Sequence, residues 1–171
     1  MAVQHSISSR DLQLADLERI VSEDCQLTLS EESRKKIIRC RTYLDDKIAT
    51  TSQPLYGINT GFGSLYNKNV SREDLERLQD NLVKSHACGT GPEIPQEIVR
   101  LMLFLKVQSL SYGNSGVQLE TVQRLADLFN HHVFPKVYEM GSLGASGDLA
   151  PLAHLSLPLI GLGEVNVENK A

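Results

Sequence analysis

The feature that most constrains this chain is the run Gly141-Ser142-Leu143-Gly144-Ala145-Ser146-Gly147-Asp148-Leu149-Ala150-Pro151-Leu152-Ala153-His154. Its first half has almost no side chains to pack, so the backbone there is free to turn sharply. Gly147 has no Cβ and reaches backbone angles barred to other residues. Its second half is apolar, and Asp148 places a carboxylate where a positive helix start favours one. The run therefore reads as a tight turn feeding directly into a helix. The nucleophile elbow of hydrolases, G-x-S-x-G, does not account for it. Gly144 and Ser146 fit, but Asp148 stands where the last glycine belongs, and no strand-like run precedes the turn.

At 171 residues the chain suffices for a single domain, residues 1–171, with a real core. Apolar residues make up 41% and charged residues 22%, ordinary values for a globular protein. The net charge of −4 argues against nucleic-acid or membrane-surface partners. Arg34, Lys35, Lys36, Arg39 and Arg41 are interleaved with acids around them and read as a solvated helix face. Met1 to Arg10 holds no apolar core of a secretion signal. Three cysteines, Cys25, Cys40 and Cys88, without C-x-x-C spacing suggest reduced thiols in a cytoplasmic chain and no metal site. His131 and His132 read as a surface pair at a helix end.

Helix signals dominate. Ser30 is placed to cap a helix to about Ile48, with Ile37, Tyr43 or Leu44, and Ile48 buried. Ser71 to Asp74 resembles a capping box opening a helix striped by Leu75, Leu78 and Leu82. Pro95 suits the first turn of a helix carrying Ile98, Leu101, Met102, Leu105 and Leu110, stopped by Gly113. A further helix covers about Val117 to His131, and another starts at Asp148. Short strands are expected at His5–Ile7 and Glu164–Val167, the latter without a partner. The expected class is mainly α, with a few short strands.

Two further motifs carry chemistry. Tyr56-Gly57-Ile58-Asn59-Thr60-Gly61-Phe62-Gly63 lies in a long connection, Gln53 to Val70, of a kind usually kept for function. Its glycines permit turns that aim Tyr56 inward, and no strand leads in to make it a dinucleotide loop. Ser85-His86-Ala87-Cys88-Gly89-Thr90-Gly91 places a histidine near a helix end.

Together these motifs resemble those of the aromatic amino-acid ammonia-lyase family, and most closely its histidine-specific branch, over about Ile7 to Val167. The resemblance implies the N-terminal part of that family's helical fold, within the fumarase/aspartase-like superfamily. It also implies that Ala145-Ser146-Gly147 cyclises unaided into 4-methylidene-imidazol-5-one (MIO), an electrophile, with no metal. Ser146 supplies a β-hydroxyl that leaves as water, and the small Ala145 leaves the ring uncrowded. Tyr56 would be the base that takes the substrate's β-proton, although a free phenol loses its proton only near pH 10, a value of about 10 that local stabilisation must lower. His86 would sit beside the substrate ring, and Gly63 and Asp148 would support the prosthetic group. The implied reaction is elimination of ammonia from L-histidine to trans-urocanate, the entry to histidine breakdown, in a homotetramer. Tyrosine or phenylalanine ammonia-lyases and aminomutases sharing the group are the alternative. A non-catalytic helical interaction module is the alternative from outside enzymes. Family members continue into long helices that supply further site residues, so this chain by itself is expected to be a fragment without lyase activity.

Overall fold

The computed structural model describes residues 3–141 and 149–168, the side chain of Arg72 excepted. The expectations for Ala145, Ser146, Gly147 and Asp148 lie outside the described residues. Among the described residues six helices dominate: α1 (Leu14–Ser22), α2 (Glu31–Thr50), α3 (Leu75–His86), α4 (Gln96–Ser111), α5 (Leu119–Asn130) and α6 (Leu149–Ser156). Six short strands accompany them: β1 (Val3–Ile7), β2 (Cys25–Leu29), β3 (Thr90–Glu93), β4 (Val133–Pro135), β5 (Tyr138–Met140) and β6 (Val165–Val167). The fold is thus mainly helical but not all-α, because each strand finds a partner in one of three two-stranded sheets.

The core is built on α4 and α5, which pack on each other. Helix α4 buries Val99, Leu103, Phe104 and Val107, and α5 buries Val122, Leu125, Ala126 and Phe129. The stripe expected on α4 is right in part. Leu101, Met102 and Leu110 are half-buried against the core, but Ile98 and Leu105 are 45% and 41% exposed, and the centre of the inward face passes through Val99, Leu103 and Val107. An α4 rich in apolar residues all round offers two candidate faces, and periodicity alone cannot choose between them.

Helix α2 starts where its cap dictates, with the Ser33 N–H donating to Ser30 Oγ at 3.2 Å. Ile37 is buried, whereas Tyr43 is 68% exposed and the half-buried Leu44 takes its place. The basic cluster is the solvated face expected of it, with Lys36 on Glu32 and Arg41 on Asp45, each one turn away.

Strands β1 and β2 run parallel through α1, in the register Val3↔Cys25 to Ile7↔Leu29. The free edge of β2 is closed by one side chain. Leu27 N–H donates to Asn130 Oδ1 at 2.7 Å, and Asn130 Nδ2 donates back to the Leu27 carbonyl at 2.9 Å. On β1, Arg19 Nη2 lies 3.1 Å from His5 Nδ1, and the His5 ring packs edge-on to Phe104. Burial, then the Arg19 charge, pushes the His5 pKa down.

The C-terminal strand is paired: β6 runs antiparallel to β4, Val133 opposite Val167. Its edge is continued by the Glu168 N–H on the His132 carbonyl. His132 is accordingly not the surface residue expected. It turns at φ +54° and is buried, facing Asp24 at 3.5 Å and Glu168 at 4.0 Å, while His131 stays exposed. Lys136 holds Glu93 and Glu164, which pushes its own pKa up and that of Glu93 down.

Replacing Asn130 by Ala leaves a backbone donor and acceptor of β2 without partners, at a cost of about 1–3 kcal/mol. Chemical denaturation measures it, and a loss below a few tenths would contradict the edge-capping role.

Candidate functional site

The connection between α2 and α3 is ordered by two polar residues. Asn59 Oδ1 accepts from the Leu55 N–H at 2.6 Å, and Asn59 Nδ2 donates to the Gln53 carbonyl at 3.2 Å. Thr60 is fully buried, and its Oγ1 accepts from the Gly57 N–H. From α3, Gln79 Nε2 donates to the carbonyls of Gly57 and Ile58 at 3.1 and 3.0 Å, which ties this loop to the helix that ends at His86. Sequence reasoning assigned these three side chains no role, although an amide or hydroxyl beside glycines, as at Asn59 and Thr60, is the usual means of ordering a turn.

Tyr56 lies in the turn, as the sequence implied, but it does not point inward. Its side chain is 63% exposed, because the loop lies over the surface of α3. One side of its ring meets Phe62, with centroids 5.7 Å apart. Phe62 in turn meets the His86 ring edge-on at 5.4 Å. Tyr56 and His86, thirty positions apart in the sequence, are therefore brought to one aromatic cluster with Phe62 between them. Gly57 makes room for it: φ there is +69°, and an added Cβ would lie 2.8 Å from Phe62 Cε1. Gly63, also at positive φ, turns its N–H onto the Tyr56 hydroxyl oxygen at 3.4 Å.

His86 ends α3. Its Nδ1 is 2.7 Å from the Leu82 carbonyl oxygen, which can only accept, so Nδ1 carries a hydrogen and Nε2 is the ring nitrogen left to face a ligand. Ser71 and Asp74 bond to each other at 2.9 Å rather than to the helix backbone, and a 3-10 turn, Arg72–Asp74, precedes α3. No described side chain of α3 is fully buried, and Leu75, Leu78 and Leu82 are half-buried.

Three elements converge beyond His86. Strand β3 pairs antiparallel with β5, Thr90 opposite Met140, and α3 packs on α6. Strand β5 precedes the 141–147 stretch, so the absence of a leading strand no longer counts against a hydrolase elbow. Asp148 in place of glycine still does. At the end of β5, a Cβ on Gly141 would come 2.8 Å from Gly89 Cα and 3.3 Å from Ala150 Cβ. His154 on α6 is buried, and its Nε2 accepts from the Gly89 N–H at 2.9 Å. The Tyr138 ring packs edge-on against it at 5.1 Å, and burial pushes the His154 pKa down. Among the described residues no group of histidine, cysteine and acidic side chains could hold a metal ion, and no helix is long and apolar enough to cross a membrane.

Gly57→Ala should cost about 1–2 kcal/mol from backbone strain and displace Phe62, shifting the ring signals of both Tyr56 and His86 in NMR spectra. Unchanged signals would rule out Phe62 as the link between them. A second expectation concerns pH. His5 and His154 are both held neutral by the fold, so the unfolded chain takes up their protons first as the pH falls. Their contribution to stability is complete above the ordinary histidine value of 6.5 and is lost as pH drops from there through their lowered folded values. Denaturation midpoints at pH 7.5 and below pH 6, about one unit lower or more, measure the loss. A midpoint that rises on acidification would contradict it.

A model of the family described as aromatic amino acid lyase matches residues 12–171. A histidine ammonia-lyase of Legionella pneumophila is 47% identical over 165 residues, covering 96% of this chain and 32% of its own length. The crystal structure of histidine ammonia-lyase from Trypanosoma cruzi superposes with a TM-score of 0.82 at 36% identity, covering 96% of this chain and 32% of that one. The tyrosine aminomutase of Streptomyces globisporus superposes at 0.85 with 30% identity, covering 99% and 31%. The chain thus spans about a third of the length of the relatives it matches.

Proposed function

Because the chain belongs to the aromatic amino acid lyase family, we propose that it is the part of a histidine ammonia-lyase that carries the prosthetic group and the base. The enzyme would eliminate ammonia from L-histidine to give trans-urocanate, working as a cytoplasmic homotetramer. The observation that carries this reading is the cluster in which Phe62 touches both Tyr56 and His86. It offers a proton acceptor and an imidazole-binding group within one small surface.

The residues flanking Ala145-Ser146-Gly147 suit cyclisation. Gly141 and Gly89 pack closely, backbone to backbone, ahead of the tripeptide, and α6 starts at Leu149 just after it, so both ends of the stretch are anchored. When formed, MIO supplies an electrophilic methylidene that makes the substrate's amine a better leaving group. The chain's own side chains do the rest. Tyr56 takes the β-proton on its phenolic oxygen, the atom that the Gly63 N–H reaches at 3.4 Å. His86, with its hydrogen on Nδ1 directed to Leu82, presents Nε2 to accept the N–H of a substrate imidazole. Gly63 and Asp148 support the prosthetic group in this reading.

A tyrosine-specific lyase or aminomutase is the second reading, favoured by the likeness to the Streptomyces globisporus enzyme. In that case Nε2 of His86 would accept from a phenol. Ammonia release from L-histidine, L-tyrosine and L-phenylalanine by the complete enzyme, together with β-amino-acid formation, which an aminomutase gives without net ammonia, separates the two.

Ser146→Ala removes the leaving group at Cβ and should lower urocanate formation by several orders of magnitude with the fold intact, since no ordinary side chain replaces an electron sink. Activity within tenfold of the parent, with an unaltered circular dichroism spectrum, would sink the assignment.

A further inference from the structure

We propose that His154 is a positioning residue, which fixes the His86-bearing turn against α6 through the backbone of Gly89. The geometry is specific to an unprotonated ring. Gly89 N–H can only donate, so the Nε2 it reaches at 2.9 Å must hold a lone pair, and the ring hydrogen sits on Nδ1. Gly89 is the third residue after His86, and the intervening chain is short and tight: the Cys88 N–H returns to the His86 carbonyl at 2.9 Å. A backbone anchored at Gly89 therefore leaves His86 little freedom.

The junction is packed to the limit. A Cβ on Gly89 would lie 3.0 Å from His154 Nε2 and 3.3 Å from Tyr138 Cβ. Gly141, at φ +142°, closes the opposite side. Three backbones and one imidazole meet here with no space for a side chain. Helix α6 begins directly after the Asp148 that follows the tripeptide in sequence, so the bond couples the substrate-side histidine to the helix next to the prosthetic group. Among the described residues, the titratable groups at this junction are Tyr138 on β5, His86 at the end of α3 and Cys88 just after it, and none is a carboxylate that would hold the His154 ring protonated. Burial keeps it neutral, and protonation would break the bond to Gly89.

What His86 touches rests on the lyase reading, but the coupling is measured without substrate. The chain is compared by NMR with His154→Gln, whose side-chain carbonyl can still accept, and His154→Leu, which cannot. In the parent, the Gly89 amide should be protected from exchange and should shift along the His154 titration below pH 6.5. His154→Gln should keep the protection and abolish the pH response. His154→Leu should lose about tenfold or more in protection, the loss of one hydrogen bond, and should move the His86 and Phe62 ring signals. A pH-independent Gly89 amide in the parent overturns the proposal, and so does a folded His154→Leu with unchanged His86 signals. If His154→Leu does not fold, the parent titration and His154→Gln decide. Urocanate formation by the complete enzyme is scored separately: its absence defeats the lyase reading and leaves these shifts as they are.

Discussion

The packing of α4 on α5 is the constraint on which the rest of the molecule depends. Leu103, Phe104, Val107, Val122 and Phe129 are all fully buried. Each such side chain contributes about 1.5–3 kcal/mol on leaving water. Around this seam the other elements are placed by single anchors. Asn130, the last residue of α5, closes the edge of β2, and Phe104 receives the His5 ring from β1. Phe134 on β4 joins the same cluster and brings β6 with it.

The candidate site follows a different principle. Helix α3 has no fully buried side chain among its described residues, and β3 is exposed throughout. What holds this half is a short series of directed bonds: Asn59 within its loop, Gln79 from α3 to the loop, and His154 from α6 to Gly89. Burial is nondirectional, whereas such bonds fix distances and angles, and catalysis needs side chains held within fractions of an ångström. The core thus supplies the frame and the polar bonds supply the aim. The exposure of Tyr56 fits the proposed role, since a base must meet substrate.

Much of this was legible in the residues. Ser30 marked the start of α2, the loop around Tyr56 was recognised by its glycines, and the motif runs placed the chain in its family. The faces of helices were harder. Ile98 and Leu105 lie on an apolar stripe of α4 as regular as the buried one, so only the position of α5 decides between them. Strand β2, Cys25-Gln26-Leu27-Thr28-Leu29, alternates cleanly and could have been found from its period of two. Strand β3 could not, because Thr90-Gly91-Pro92-Glu93 contains residues that disfavour strands and buries none of them. His132 misled because adjacent histidines at a helix end look solvated, whereas its positive φ turns it under β6. The roles of Phe62, Gln79 and His154 depend on contacts across twenty or more residues, or across a turn, that no local pattern reports.

The central claim is that this fold presents Tyr56 and His86 to a tripeptide that has become an electrophile. The mass of the peptide spanning residues 141–154, released by proteolysis from the complete enzyme, tests it most directly. Closure of the Gly147 nitrogen on the Ala145 carbonyl, with loss of the Ser146 hydroxyl, removes two water molecules, so the account predicts a peptide lighter than its sequence by that amount. A peptide of full sequence mass, from enzyme that converts L-histidine, would contradict it.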